Sequence, residues 1–69
     1  MKVEDVKIGT KLTFEGEHTV WTVVSKRQVR GTKAHPRRFI LGLAFDRGEV
    51  RGQAKTHPLA ADAEVREVP

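Results

Sequence analysis

The sequence predicts an all-β domain: five short strands in a small barrel or curled antiparallel sheet, with one helical turn before the last strand. Three observations predict it. Residues of one character alternate with period two, as in Ile8, Thr10, Leu12 and Phe14 and again in Phe39, Leu41, Leu43 and Phe45. No segment sustains apolar residues at i, i+3, i+4 and i+7 for three turns. Glycine or proline interrupts the chain about every ten residues, a spacing suited to strands and turns rather than helices.

The elements follow in order. Ile8 to Phe14 reads as a strand with one buried face, and Glu15-Gly16-Glu17-His18 as a turn in which Gly16 takes positive φ. Thr19 to Ser25 is dense in β-branched and aromatic residues, with Trp21 and Val23 on one face and Val20, Thr22 and Val24 on the other. This strand runs on toward Val29, leaving the core where Lys26, Arg27 and Gln28 are polar. Arg30 to Arg37 is a loop, because Gly31 permits unusual dihedrals and Pro36 drives His35 out of the α region. Arg38 to Phe45 is the central strand. Its large face is Phe39, Leu41, Leu43 and Phe45, and its small face, with Gly42, lets another backbone approach or the sheet coil. Asp46-Arg47-Gly48-Glu49 is a tight hairpin with positive φ at Gly48. Glu49 to Thr56 returns as a weak edge strand, His57 to Ala61 suits one helical turn, and Glu64 to Val68 closes the sheet. The competing pattern is a short carboxy-terminal helix over Leu59 to Val68.

The chain has 69 residues, enough for one domain, residues 1–69, with one core. It has no cysteine, so disulfides, thiolate metal sites and cysteine nucleophiles are excluded. Acidic Glu4 and Asp5 stand where a signal peptide would begin its apolar run. The longest apolar stretch, Phe39 to Phe45, is far shorter than the roughly 20 residues of a membrane span. The expectation is a cytoplasmic protein with no membrane association.

Two fragments carry a family resemblance. Val6-Lys7-Ile8-Gly9-Thr10-Lys11-Leu12 is similar to the opening of many small SH3-like barrels, where a glycine turns the chain into the first strand. Gly16-Glu17-His18-Thr19-Val20-Trp21-Thr22-Val23-Val24 resembles the Gly-x-x-x-x-Trp-x-Val hairpin of such barrels, including uncharacterised ones from bacteria and their phages. The resemblance covers nearly the whole chain in strand order and spacing, and it implies an SH3-like barrel without implying an activity. The aromatic pair of a polyproline-binding SH3 groove and the aromatic cage of a methyl-lysine reader are not recognisable: there is no tyrosine, one tryptophan and three phenylalanines.

Charge supplies the functional lead. Thirteen Lys and Arg oppose nine Asp and Glu. Six of the cations, Lys26, Arg27, Arg30, Lys33, Arg37 and Arg38, fall between Ser25 and Arg38 with no acid among them, so seven cations face nine acids elsewhere. A loop between the second and third strands carrying these six is expected to contact nucleic-acid phosphates or another polyanion, through counterion release and the planar forks of arginine. The competing readings are an adaptor that docks on an acidic protein partner, such as a phage accessory protein on a host protein, and a solvated loop that keeps the chain soluble. A homodimer through an edge strand, Glu49 to Thr56 or Glu64 to Val68, is a further partner class. Trp21 is either a base-stacking platform or, more simply, a core residue with its N–H satisfied by a carbonyl.

Catalysis is not expected. Ser25 is the only serine, has no adjacent base and lies in no G-x-S-x-G turn. Glu15/Glu17 and Glu64/Glu67 read as solvated turn and edge residues. Arg47-Gly48-Glu49-Val50-Arg51-Gly52 has neither the lysine nor the helix of a phosphate loop. His18, His35 and His57 lack the close spacing of a metal site, so no metal and no cofactor is expected.

Overall fold

Alternation and turn chemistry assemble a sheet in which almost every connection is local. The computed structural model describes the backbone of residues 1–69 and all side chains except those of Asp46 and Arg47. After a 3₁₀ turn at Val3–Asp5 come β1 (Lys11–Thr13), β2 (Trp21–Val29), β3 (Arg38–Arg47), β4 (Val50–Lys55), β5 (Leu59–Ala60) and β6 (Arg66–Glu67). The antiparallel path is β4-β3-β2-β1-β6, with β5 pairing β3 beyond the end of β4. The sheet curls around its inner face. No strand pairing between β4 and β6 closes it among the described residues, so it is a half-barrel.

The inner face is where the period-two pattern leads. Leu12, Val23, Phe39, Leu41 and Leu43 are buried, and Phe14, Trp21 and Leu59 pack against them. The expected alternation of β2 holds at its start, with Val23 buried and Val20 and Val24 exposed. Past Val23 the phase changes. Val23 pairs with Leu43 and Ser25 with Gly42, so Val24 is an extra residue, a β-bulge. Ser25 now faces outward over Gly42, and Lys26, opposite Leu41, faces inward.

The other core residues come from the chain's two ends. Val3, Val6 and Val65 are buried. Backbone bonds from Val3 N–H to Ala63 O, Glu4 N–H to Ala61 O and Val65 N–H to Met1 O tie the first residues to the segment before β6. The amino-terminal turn thus roofs one end of the half-barrel, a role the alternation pattern did not assign.

Several expectations are corrected. The first strand is shorter than Ile8 to Phe14: Gly9 takes φ 95°, donates to Val23 O, and leaves Ile8 68% exposed at a turn tip. The segment His57 to Ala61 is not a helical turn. Thr56 N–H donates to Leu41 O and keeps the chain beside β3, so Leu59 and Ala60 pair with Phe39 and Arg38. An Ala63 N–H to Ala60 O turn follows, and the short helix over Leu59 to Val68 does not form. The hairpin before β4 is as expected, with Gly48 at φ 69°.

Gly42 is explained by the bulge rather than by an approaching backbone. A Cβ built on Gly42 would lie 2.1 Å from Ser25 Oγ and 3.3 Å from Ser25 Cβ. We expect Gly42→Ala to cost about 1–3 kcal/mol in urea unfolding, an overpacking penalty. Adding Ser25→Ala removes the clashing oxygen and recovers part of that loss. Equal midpoints for the single and double variants would contradict this packing.

Candidate nucleic-acid interface

The basic segment spans the end of β2, a loop at residues 30–37 and the first residue of β3. Its loop is short of regular structure but well tied. Thr32 N–H donates to His35 O at 2.8 Å, and His35 N–H donates to Thr32 Oγ1 at 3.0 Å. Gly31 lies against Pro36 so closely that a Cβ there would sit 2.0 Å from the Pro36 carbonyl oxygen. Arg38 closes the base: its Nε and Nη2 donate to Arg30 O at 3.0 and 2.6 Å. A loop tied this way loses less freedom on binding than an open one of the same length.

The six expected binding cations divide by what they touch. Lys26 is turned inward by the bulge. Its Nζ donates to Glu4 O at 2.7 Å and Val6 O at 2.9 Å and stands 4.8 Å from the centre of the Phe39 ring. It holds the amino-terminal roof. Arg38 is committed to the Arg30 carbonyl. Arg37 forms an ion pair with Glu4 at 3.2 Å and packs over Phe39 at 5.8 Å. Asp62 and Glu4 line the same shallow depression as Arg37 and His35, so an incoming phosphate would meet carboxylates there. These three side chains already have partners within the fold.

Arg27, Arg30 and Lys33 are different. All three are exposed, and their side chains have no hydrogen-bond or ion-pair partner among the described residues. Arg27 stands on the outer face of the sheet, opposite Ile40, and Arg30 and Lys33 follow in the loop. Lys55 projects on that same outer face, in the row Ser25–Gly42–Lys55. Alternation along β4 hinted at this position, but only the register shows the shared face. The acids Glu15, Glu17 and Glu64 gather instead around a cleft at the β1–β2 loop. That loop enters β2 at Trp21, and β2 leaves for the basic loop at Val29, about 26 Å away for nine extended residues.

Trp21 is half-buried, meets Phe45 edge-to-face at 5.3 Å, and donates its Nε1–H to Glu17 Oε2 at 3.1 Å. Its partner is therefore a loop carboxylate rather than a carbonyl. The indole lines an open cleft of about 360 Å³ with Phe14, Ala54, His57 and Leu59. His18, His35 and His57 are all exposed, and no group of three metal-ligating side chains occurs among the described residues. Among the described residues no helix is long and apolar enough to cross a membrane. No family model, curated protein or solved structure matches this chain.

The inward lysine gives a prediction that separates structure from binding. Lys26→Met should destabilise the fold by about 1.5–3 kcal/mol, since two carbonyls lose a charged donor. Hydrogen exchange at Val3 to Val6 should quicken more than exchange in β3. Unchanged protection of the amino-terminal turn would show that Lys26 does not hold it.

Proposed function

We propose that this chain is a small non-catalytic binding module of SH3-like type that contacts nucleic-acid phosphates through Arg27, Arg30 and Lys33. The observation that carries the reading is the division of the six cations. Three are used internally, and the three that are exposed and unpartnered among the described residues lie on the outer face of β2 and in the tied loop that follows it. The arrangement suits backbone contact. There is no recognition helix to enter a groove, and the half-buried aromatic residues lie on the inner face, away from these cations. Contacts of this kind are weakly specific and strongly salt-dependent.

An acidic protein surface is the competing ligand for the same three side chains. The two readings differ in their titration behaviour. We expect fluorescence polarisation with mixed-sequence duplex DNA and single-stranded RNA to show binding at low salt. For three phosphate contacts on duplex DNA, a fourfold rise in salt should weaken it about 40-fold. Arg27→Ala, Arg30→Ala and Lys33→Ala combined should remove binding while the unfolding midpoint stays near that of the parent. Binding that survives the triple substitution, or no binding at either salt, would reject the phosphate reading and leave the acidic protein surface.

A further inference from the structure

The bulge that turns Lys26 inward puts Ser25 on the outer face, and the register carries that face across three strands. Ser25 lies opposite Gly42 and Gly42 opposite Lys55, while Arg27 follows two residues on, opposite Ile40. Counting two strand spacings across and two residues along, the Cα atoms of Arg27 and Lys55 are about 12 Å apart. Gly42, the residue between Ser25 and Lys55 in that row, has no side chain to part them. Ser25 and Lys55 are exposed, and like Arg27 their side chains have no hydrogen-bond or ion-pair partner among the described residues. A shallow depression of about 330 Å³ is bordered by Ser25, Gly42, Gln53 and Lys55, and among the described residues no acid lines it. Lys55 also borders the cleft of Trp21, where the Glu17 carboxylate is taken by the indole N–H. Arg51, farther along β4, is engaged within the fold.

We propose that the outer face of β2, β3 and β4 extends the phosphate interface, with Lys55 as a fourth contact and the sugar–phosphate backbone of a nucleic-acid duplex as the ligand. The inference rests on the phosphate-binding reading and adds to it a residue and a form of ligand. The placement of the aromatic residues selects a duplex over a single strand. A single strand gains much of its affinity by stacking bases on aromatic rings. Phe14, Trp21, Phe39 and Phe45 are the chain's four aromatic residues, and all lie on the inner side of the sheet. The outer face therefore offers cations and small polar groups but no ring. A duplex keeps its bases stacked within itself and presents phosphates at its surface, which such a face can hold. The Ser25 hydroxyl adds a neutral donor of the kind that contacts phosphate oxygens.

Salt dependence counts the contacts. Three contacts on duplex DNA lose about 40-fold in affinity for a fourfold rise in salt, and four lose about 150-fold. With a mixed-sequence duplex in fluorescence polarisation, we expect the parent to show the larger loss and Lys55→Ala to return it to about 40-fold. Lys2→Ala removes the same charge from the amino-terminal roof, beside Glu64, and should leave the loss near about 150-fold. The duplex should bind more tightly than a single strand of the same length at each salt. Lys55 is exposed, so Lys55→Ala should keep the parent's urea midpoint.

The outcomes separate the two readings. If Lys55→Ala and Lys2→Ala behave alike while the combined Arg27, Arg30 and Lys33 substitutions still remove binding, the outer-face contact is overturned and the loop reading stands. Tighter binding to the single strand overturns the duplex. No binding to either nucleic acid removes the phosphate reading and this inference with it.

Discussion

The extra residue at Val24 sets the phase of the longest antiparallel pair, and much of the molecule follows from that phase. Before it, Trp21 and Val23 point inward beside Phe45 and Leu43. After it, strict alternation would place Val24 and Lys26 outward together. The bulge instead turns Ser25 outward onto the bare Gly42 and swings Lys26 inward across Leu41. The ammonium then reaches two carbonyls of the first turn and stands over Phe39. Val3 and Val6 thereby become core residues, and a sheet too small to close on itself gains a roof.

The same phase decides which cations face solvent. A charged group that finds two acceptors inside a partly buried site is held by bonds stronger than neutral ones, so Lys26 belongs to the fold. Arg38 is fixed by a forked contact to a carbonyl, which shapes the loop rather than binding from it. Arg37 beside Glu4 is an exposed pair of small energetic value, yet the neighbouring carboxylates make its surroundings unsuited to an anion. Arg27, Arg30 and Lys33 remain exposed and without a side-chain partner among the described residues, toward the far end of β2 from the acidic rim of the β1–β2 loop.

Among the described residues eight buried apolar side chains make a small core, and small domains bury too little surface to be strongly stable alone. The structure answers with contacts between sequence-distant segments: the first residues on the segment before β6, β5 on the start of β3, and Phe45 folded over Gly52. The inner face is left open beside β4, where Val50 and Ala54 are exposed. β4 is also the last strand on that side of the sheet, so the exposed apolar residues lie on a terminal strand.

The all-β class, the long central strand with its four large apolar residues, the loop at residues 30–37 and the positive φ at Gly48 were legible from alternation and turn chemistry alone. These are local properties: a two-residue period and a glycine-dependent dihedral need no knowledge of what lies across the sheet. The concentration of six cations was equally plain, but not their use. Whether a lysine points in or out depends on a single inserted residue, and that residue is recognised only when Val23 and Ser25 are seen against consecutive partners on β3. Local dihedral preference likewise made a helical turn plausible around Pro58, whereas a bond from Thr56 to Leu41 keeps that segment extended. The sequence by itself determined which segments are strands and where the charge lies. Tertiary structure alone decided the face each side chain takes, because that depends on register, and register is set by the partner strand.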